Sequence, residues 1–484
     1  MFLGIDLGTS SVKALLLTRD GRVAGEASAA YPVLAPRPGW AESEPADWWR
    51  GTVGAVRRVV AGRAGEVEAI GLAGQMHGVV LVDEVGAPLR RAVLWADGRS
   101  SAELRSYGAL PSSLRSRLGN QPASGMAGPS LLWLSANDPG AYRRARWALQ
   151  PKDWLRLALT GTVATEPSDA SATLLYDLTA DDWAEPVVTA LGLRRELLPP
   201  VLGSAEPAGR LTAEAARELG LPMGLPVATG AADTAAAALG TGLVGSGEMQ
   251  LTVGTGAQLV APLEHPTIDP TGRTHLFRSA TPGGYYAMAA MQNAGLALDW
   301  VLRCLGVDWD RAYREAFAAP AGANGVTFAP YLSGERTPHF DPGASASWSG
   351  IRLHHGRADL LRAAFEGVAF AVRQGLQVLR DLGHDPHQLR LAGGGSVDPA
   401  WRQLLADALA LPLLAVDVPA ASARGAALLG GIAVGAFEDV TATLAVGPRL
   451  SPVATPGPEV ERLAEAYGRY LEVYPALHAP TRPR

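Results

Sequence analysis

A strand, a tight turn and a second strand open this chain, and the same device returns half a chain later. Phe2–Leu7 is apolar except for Asp6, Gly8-Thr9-Ser10-Ser11 forms a turn cluster, and Val12–Leu17 resumes the apolar run. At Met249–Val253, Gly254-Thr255-Gly256 and Ala257–Val260 the pattern recurs. A repeated Gly-Thr turn means little by itself, because such turns are common. Its position means more: each half of a 484-residue chain begins in the same way. A chain of that length exceeds one ordinary core. The expectation is an α/β protein of two domains, 1–245 and 246–484, each built on a sheet flanked by helices.

Alternating strand and helix signals continue through both halves. Asp20-Gly21 marks a hairpin. Trp49, Val53, Val56 and Val60 lie at helical spacing, with Asp47 as the expected cap. Strands are expected at Val67–Ala73, Val79–Val82 and Leu389–Ala392. Pro129 and Pro151 open helices that run to Asn137 and to about Gly161. A long apolar stripe predicts a helix over Ala358–Leu382, and shorter helices are expected at Pro399–Ala410, Gly425–Val434 and Glu459–Leu471. The formal net charge of −5 argues against a broad nucleic-acid footprint. Cys304 is the one cysteine, so no intrachain disulfide can form. Neither a basic, apolar leader nor a membrane-length apolar run is visible, and a cytoplasmic location is expected.

Several segments carry chemistry. A carboxylate inside an apolar strand is costly unless something pairs with it. A metal ion would pair with Asp6, and so would nearby backbone amides in a plain hairpin. The turn Gly8-Thr9-Ser10 can present N–H groups to phosphate oxygens, and Lys13 adds charge if it faces the same side. Gly254-Thr255-Gly256 is a second such turn. A strand runs into Gly393-Gly394-Gly395-Ser396 and then into a helix, an arrangement that lets a nucleotide approach the backbone. Asp233 stands before a small-residue helix, where it reads equally as a cap or as a base with Thr234 beside it. Gln75-Met76-His77 lies between glycines at a strand end, placed either for hydroxyl recognition or for a structural role.

In this order, and joined by Pro151-Lys152-Asp153 and Glu335-Arg336-Thr337-Pro338, these segments resemble the FGGY carbohydrate kinases from about residue 2 to 435. The resemblance implies a two-domain actin-like ATPase (ribonuclease H-like) fold with the active site in the interdomain cleft. It implies ATP and Mg²⁺ as cofactors and a small open-chain ketose, xylulose foremost, as the acceptor. Asp233 would be the catalytic base and Asp6 the magnesium site. Gln75, Met76, His77 and Thr234 would line the sugar. Gly8, Thr9, Ser10, Lys13, Gly254, Thr255, Gly256, Gly393, Gly394, Gly395 and Ser396 would hold the nucleotide. Partners would be sugar and ATP only, with a homodimer left open. The chain departs from the family at Thr234, where Asn is usual, at Ala231-Ala232 in place of glycines, at Ser130 in place of Lys, and at Arg424. Another pentulose, a pentitol or glycerol would also suit the pattern. An actin-like ATPase without a sugar acceptor is the alternative of another class.

Overall fold

A computed structural model describes residues 1–478 and contains two seven-stranded mixed sheets. In the first, Phe2–Leu7 pairs antiparallel with Ser11–Leu17 and parallel with Ala69–Gly74. Val23–Ala30 extends one edge, Pro226–Ala228 and Pro207–Arg210 extend the other, and Ala231–Ala232 runs beside the end of Ala69–Gly74. In the second, Gln250–Val253 pairs antiparallel with Ala257–Leu263 and parallel with Leu389–Ala392. Tyr285–Met291 and His275–Arg278 complete one side, and Leu413–Val416 and Leu450–Ala454 the other. The two halves therefore repeat one arrangement, a hairpin whose first strand is joined in parallel by a later one. Strands buried on both faces need continuous apolar runs, and all six residues of Ala69–Gly74 are buried.

The device expected at the start of each half is present at both places. Helix ends shift for local reasons. The first helix spans Pro45–Val60 and begins at a proline in its first turn, so Asp47 lies inside it and does not cap it. The Pro129 helix begins earlier, at Ala127. The long helix spans Arg357–Asp381, and the last described helix runs from Val460 to His478, past the expected Leu471. No helix among the described residues is long and apolar enough to cross a membrane.

One helix of the second half lies on the sheet of the first. Ala421–Ala433 begins four residues before the glycine where the sequence suggested a start. It approaches so closely that a Cβ on Gly4 would stand 1.8 Å from the Ala423 carbonyl oxygen, and one on Gly71 would stand 1.7 Å from that of Ala426. Only glycine fits at these two strand positions. The helix Asp233–Gly240 crosses the same element, where a Cβ on Gly425 would lie 1.8 Å from the Ala236 oxygen. Arg424 is accounted for here: its guanidinium donates to the Gly240 carbonyl at 2.6 Å and so neutralises the negative end of that helix. An apolar cluster that includes Phe2, Ala73, Ala236, Phe277, Met288 and Ala423 joins the two halves beneath the site.

Candidate active site

The parallel strands of both sheets end at a common cleft, and a cavity of about 580 Å³ opens there. Thr9, Met76, His77, Asp233 and Thr234 line it from the first half. Gly254, Thr255 and Gly256 line it from the second. Asp6, Gly8, Ser10, Lys13, Gln75 and Gly393–Ser396 are not among its walls, although Gly8 and Ser10 flank the wall residue Thr9 and Gln75 precedes Met76.

Asp6 occupies the penultimate position of the first strand. One of its carboxylate oxygens is sealed from solvent and has no hydrogen-bond partner among the described residues. Burial pushes its pKa up to about 7, the charge of Asp233 adds to the rise, and Lys13 opposes it. Lys13 is its cross-strand partner, so the two side chains share a face. Asp233 is the first residue of its helix and Ala232 is the N-cap, so Asp233 does not play the capping role that the sequence left open. Its carboxylate accepts the Thr234 N–H at 2.6 Å and lies 3.3 Å from the Thr234 hydroxyl. Burial raises its pKa to about 6, and the Thr234 bonds restrain the rise.

The first turn is anchored from below. The Gly8 carbonyl accepts the Tyr31 hydroxyl at 2.5 Å and the Gln75 amide at 3.2 Å. Gln75 therefore supports the turn from a buried position, with no wall of the cavity to its name. The N–H groups of Thr9 and Ser10 have no backbone acceptor among the described residues, and neither do those of Thr255 and Gly256. Each half thus carries a turn with free amides, a geometry suited to anions. Gly393 adopts φ 92°, and a Cβ there would lie 2.2 Å from the Val253 oxygen. Gly394 has open space around it. Ser396 turns inward, its hydroxyl 3.1 Å from the Gly393 carbonyl, and offers no side chain to a ligand.

Met76 and His77 leave the strand Ala69–Gly74 together. His77 has φ 72°, a left-handed conformation rare outside glycine and concentrated at functional positions. Its Nδ1 lies 2.7 Å from the Ala172 carbonyl oxygen, which can only accept. Nδ1 therefore carries the hydrogen, and Nε2 is left as an acceptor. Burial lowers its pKa to about 4, so the ring is neutral at physiological pH. The Tyr286 hydroxyl donates to Met76 Sδ at 3.8 Å and so fixes the side chain.

Trp95 and Arg336 are among the wall residues to which the sequence assigns no role. Trp95 lies on a connecting segment and donates its indole N–H to Thr9 Oγ1 at 2.9 Å. Arg336 comes from the other half, with its guanidinium 6.0 Å from the Trp95 ring. Arg336 belongs to a motif quoted from the sequence, whereas nothing in the pattern around Trp95 distinguishes it from a core tryptophan. Glu335, next to Arg336, is buried and accepts the Gln292 and Arg336 N–H groups at 2.7 and 2.8 Å, which fixes the Arg336 backbone.

The described residues contain no cluster of three or more His, Cys, Asp or Glu side chains able to hold a metal by themselves. A magnesium ion is ordinarily held by one or two carboxylates together with substrate phosphates and water. An orphaned, buried Asp6 oxygen beside a second carboxylate supplies the required donor.

Residues 1–240 match the N-terminal domain of the FGGY family of carbohydrate kinases, and residues 249–434 match its C-terminal domain. The chain is 37% identical to the xylulose kinase of Escherichia coli (strain K12) over 84% of either protein. It is 32% identical to the xylulose kinase of Bacillus subtilis (strain 168), over 90% of this chain and 89% of that one. A crystal structure of a xyloylose kinase from Brucella ovis superposes with a TM-score of 0.93 at 36% identity, covering 99% of each chain.

Proposed function

Because this chain belongs to the FGGY family of carbohydrate kinases, we propose that it transfers the terminal phosphoryl group of ATP to a primary hydroxyl of D-xylulose, with Asp233 as the base. One observation carries this reading. A carboxylate with a pKa near 6 faces a cavity that it shares with a neutral histidine and with two amide-rich turns. At neutral pH such a group is ionised yet basic enough to accept a proton.

The residues divide the work. His77 Nε2 accepts a hydrogen bond from a sugar hydroxyl, and Met76 supplies an apolar wall. Asp233 accepts the proton of the attacking hydroxyl as its oxygen bonds to phosphorus and the bond to ADP breaks. The Thr234 N–H keeps the carboxylate aimed while its charge changes. The amides of Thr9, Ser10, Thr255 and Gly256 receive phosphate oxygens, and Gly393–Gly395 lets the nucleoside approach the backbone. Asp6 would hold the magnesium ion, with Lys13 on the same face. When bound, Mg²⁺–ATP provides the phosphoryl group with its charge already screened. Arg336 adds positive charge from the opposite half, so closure of the cleft completes the site and excludes water.

The test is a coupled ADP-release assay over a panel of ketoses, pentitols and glycerol. Strong stimulation by D-xylulose supports the reading. Equal rates with and without every sugar would favour an ATPase that has no sugar acceptor.

A further inference from the structure

The motif Pro151-Lys152-Asp153 touches neither cavity nor turn. Lys152 is fully buried, with Nζ 2.8 Å from Asp153, 2.9 Å from Asp169 and 3.3 Å from Glu166. All three carboxylates are fully buried as well. Replacing such a cluster by apolar side chains is often neutral or stabilising, so stability alone is a weak reason to keep it.

The cluster leads to the base through hydrogen bonds whose direction is fixed. The Glu166 carboxylate accepts the Ser168 N–H at 2.7 Å, the Asp169 N–H at 2.9 Å and the Ser204 hydroxyl at 3.0 Å. It lies 2.8 and 2.9 Å from the Ser168 hydroxyl. A serine hydroxyl has one hydrogen, which goes to the carboxylate, so its lone pairs remain free to accept. They accept the Ala232 N–H at 2.9 Å. Ala232 is the N-cap of the helix that begins at Asp233. The same segment offers the Ala172 carbonyl to His77, and its Ser171 hydroxyl accepts the Arg278 N–H from the second half at 3.0 Å. One short stretch, 166–173, thus ties down the base, the sugar-side histidine and a strand across the cleft.

We propose that Ser168, made rigid by Glu166 and Lys152, is a positioning residue for Asp233. It holds the Ala232 amide and thereby sets the place of the carboxylate against the attacking hydroxyl. Reacting groups must be held to well within 1 Å, and supports of this kind provide that. The inference rests on Asp233 being the base.

Ser168→Ala and Ser204→Ala separate positioning from scaffolding. Each removes one hydroxyl donor from Glu166, but only Ser168 touches the Ala232 amide. Ser168→Ala is expected to lower kcat by roughly tenfold or more, with KM for D-xylulose and for ATP within about twofold of wild type, whereas Ser204→Ala keeps its kcat. Ser168→Thr, which retains the hydroxyl, restores turnover. Should Ser168→Ala fail to fold, Ser168→Cys, with its weak donor, is read in the same way. Equal kcat losses in the two alanine variants, or none in either, would overturn the proposal. Asp233→Asn is assayed in parallel: if it keeps turnover, the base assignment falls and this inference with it. If it is inactive while Ser168→Ala is normal, only the inference falls.

Discussion

Gly425→Ala tests the link between packing and catalysis. The added methyl would stand 1.8 Å from the Ala236 oxygen, and real Cβ atoms essentially never come within 3.0 Å of such an atom, so the two helices must retreat by at least 1.2 Å (from 1.8 to 3.0 Å). Ala236 is three residues from Asp233 in the same helix, and the Ser422 hydroxyl on the crossing helix donates to the Asp233 carbonyl at 3.1 Å. Overpacking of this kind costs about 1–3 kcal/mol. A displacement near 1 Å at a reacting group can cost roughly 100-fold in rate. The variant should therefore unfold at a lower temperature and show a kcat reduced by one to two orders of magnitude, with KM for ATP little changed. Gly468→Ala is the control. It lies within the helix Val460–His478 with no atom within 4 Å of the added Cβ, and it should be neutral or stabilise by about 0.5–1 kcal/mol. The assays are D-xylulose-dependent ADP release and thermal unfolding. Wild-type turnover and wild-type unfolding temperature in Gly425→Ala would refute the reasoning.

The pH dependence follows from the raised carboxyl group. Asp233 works ionised, and burial lifts its pKa to about 6, so kcat/KM should hold above neutrality and fall about tenfold per pH unit well below 6. A profile flat down to pH 4.5 would contradict this. His77→Ala should raise KM for the ketose far more than KM for ATP, because the Nε2 acceptor is lost while both phosphate turns are untouched. Steady-state kinetics with each substrate varied decides that point.

Much of the architecture was legible because it rests on local signals. The two Gly-Thr turns, the strand bearing Asp6, and the proline that opens the helix at 151 are written in contiguous residues. What stayed hidden depends on partners distant in the chain. Gly4 and Gly71 read as ordinary strand residues until a helix from the other half is seen lying on them. Lys152 is recognisable as part of a motif, but Glu166 and Asp169 meet it only after folding. Gln75 stands beside Met76 and His77 in sequence, yet its side chain bonds the Gly8 carbonyl under the first turn and does not line the cavity. Trp95 shows the converse, a wall residue on a connecting segment with no periodicity to mark it. Asp233 could be read as cap or base, and no local signal in the sequence separates the two.

The measurement that bears most directly on this account is the turnover of Asp233→Asn with saturating D-xylulose and Mg²⁺–ATP, alongside its circular dichroism and unfolding temperature. The substitution preserves shape and removes the proton acceptor. The account predicts a kcat lower by roughly 100- to 10,000-fold, an intact fold and nearly unchanged KM values. Turnover within a few-fold of wild type in a folded Asp233→Asn protein would contradict it.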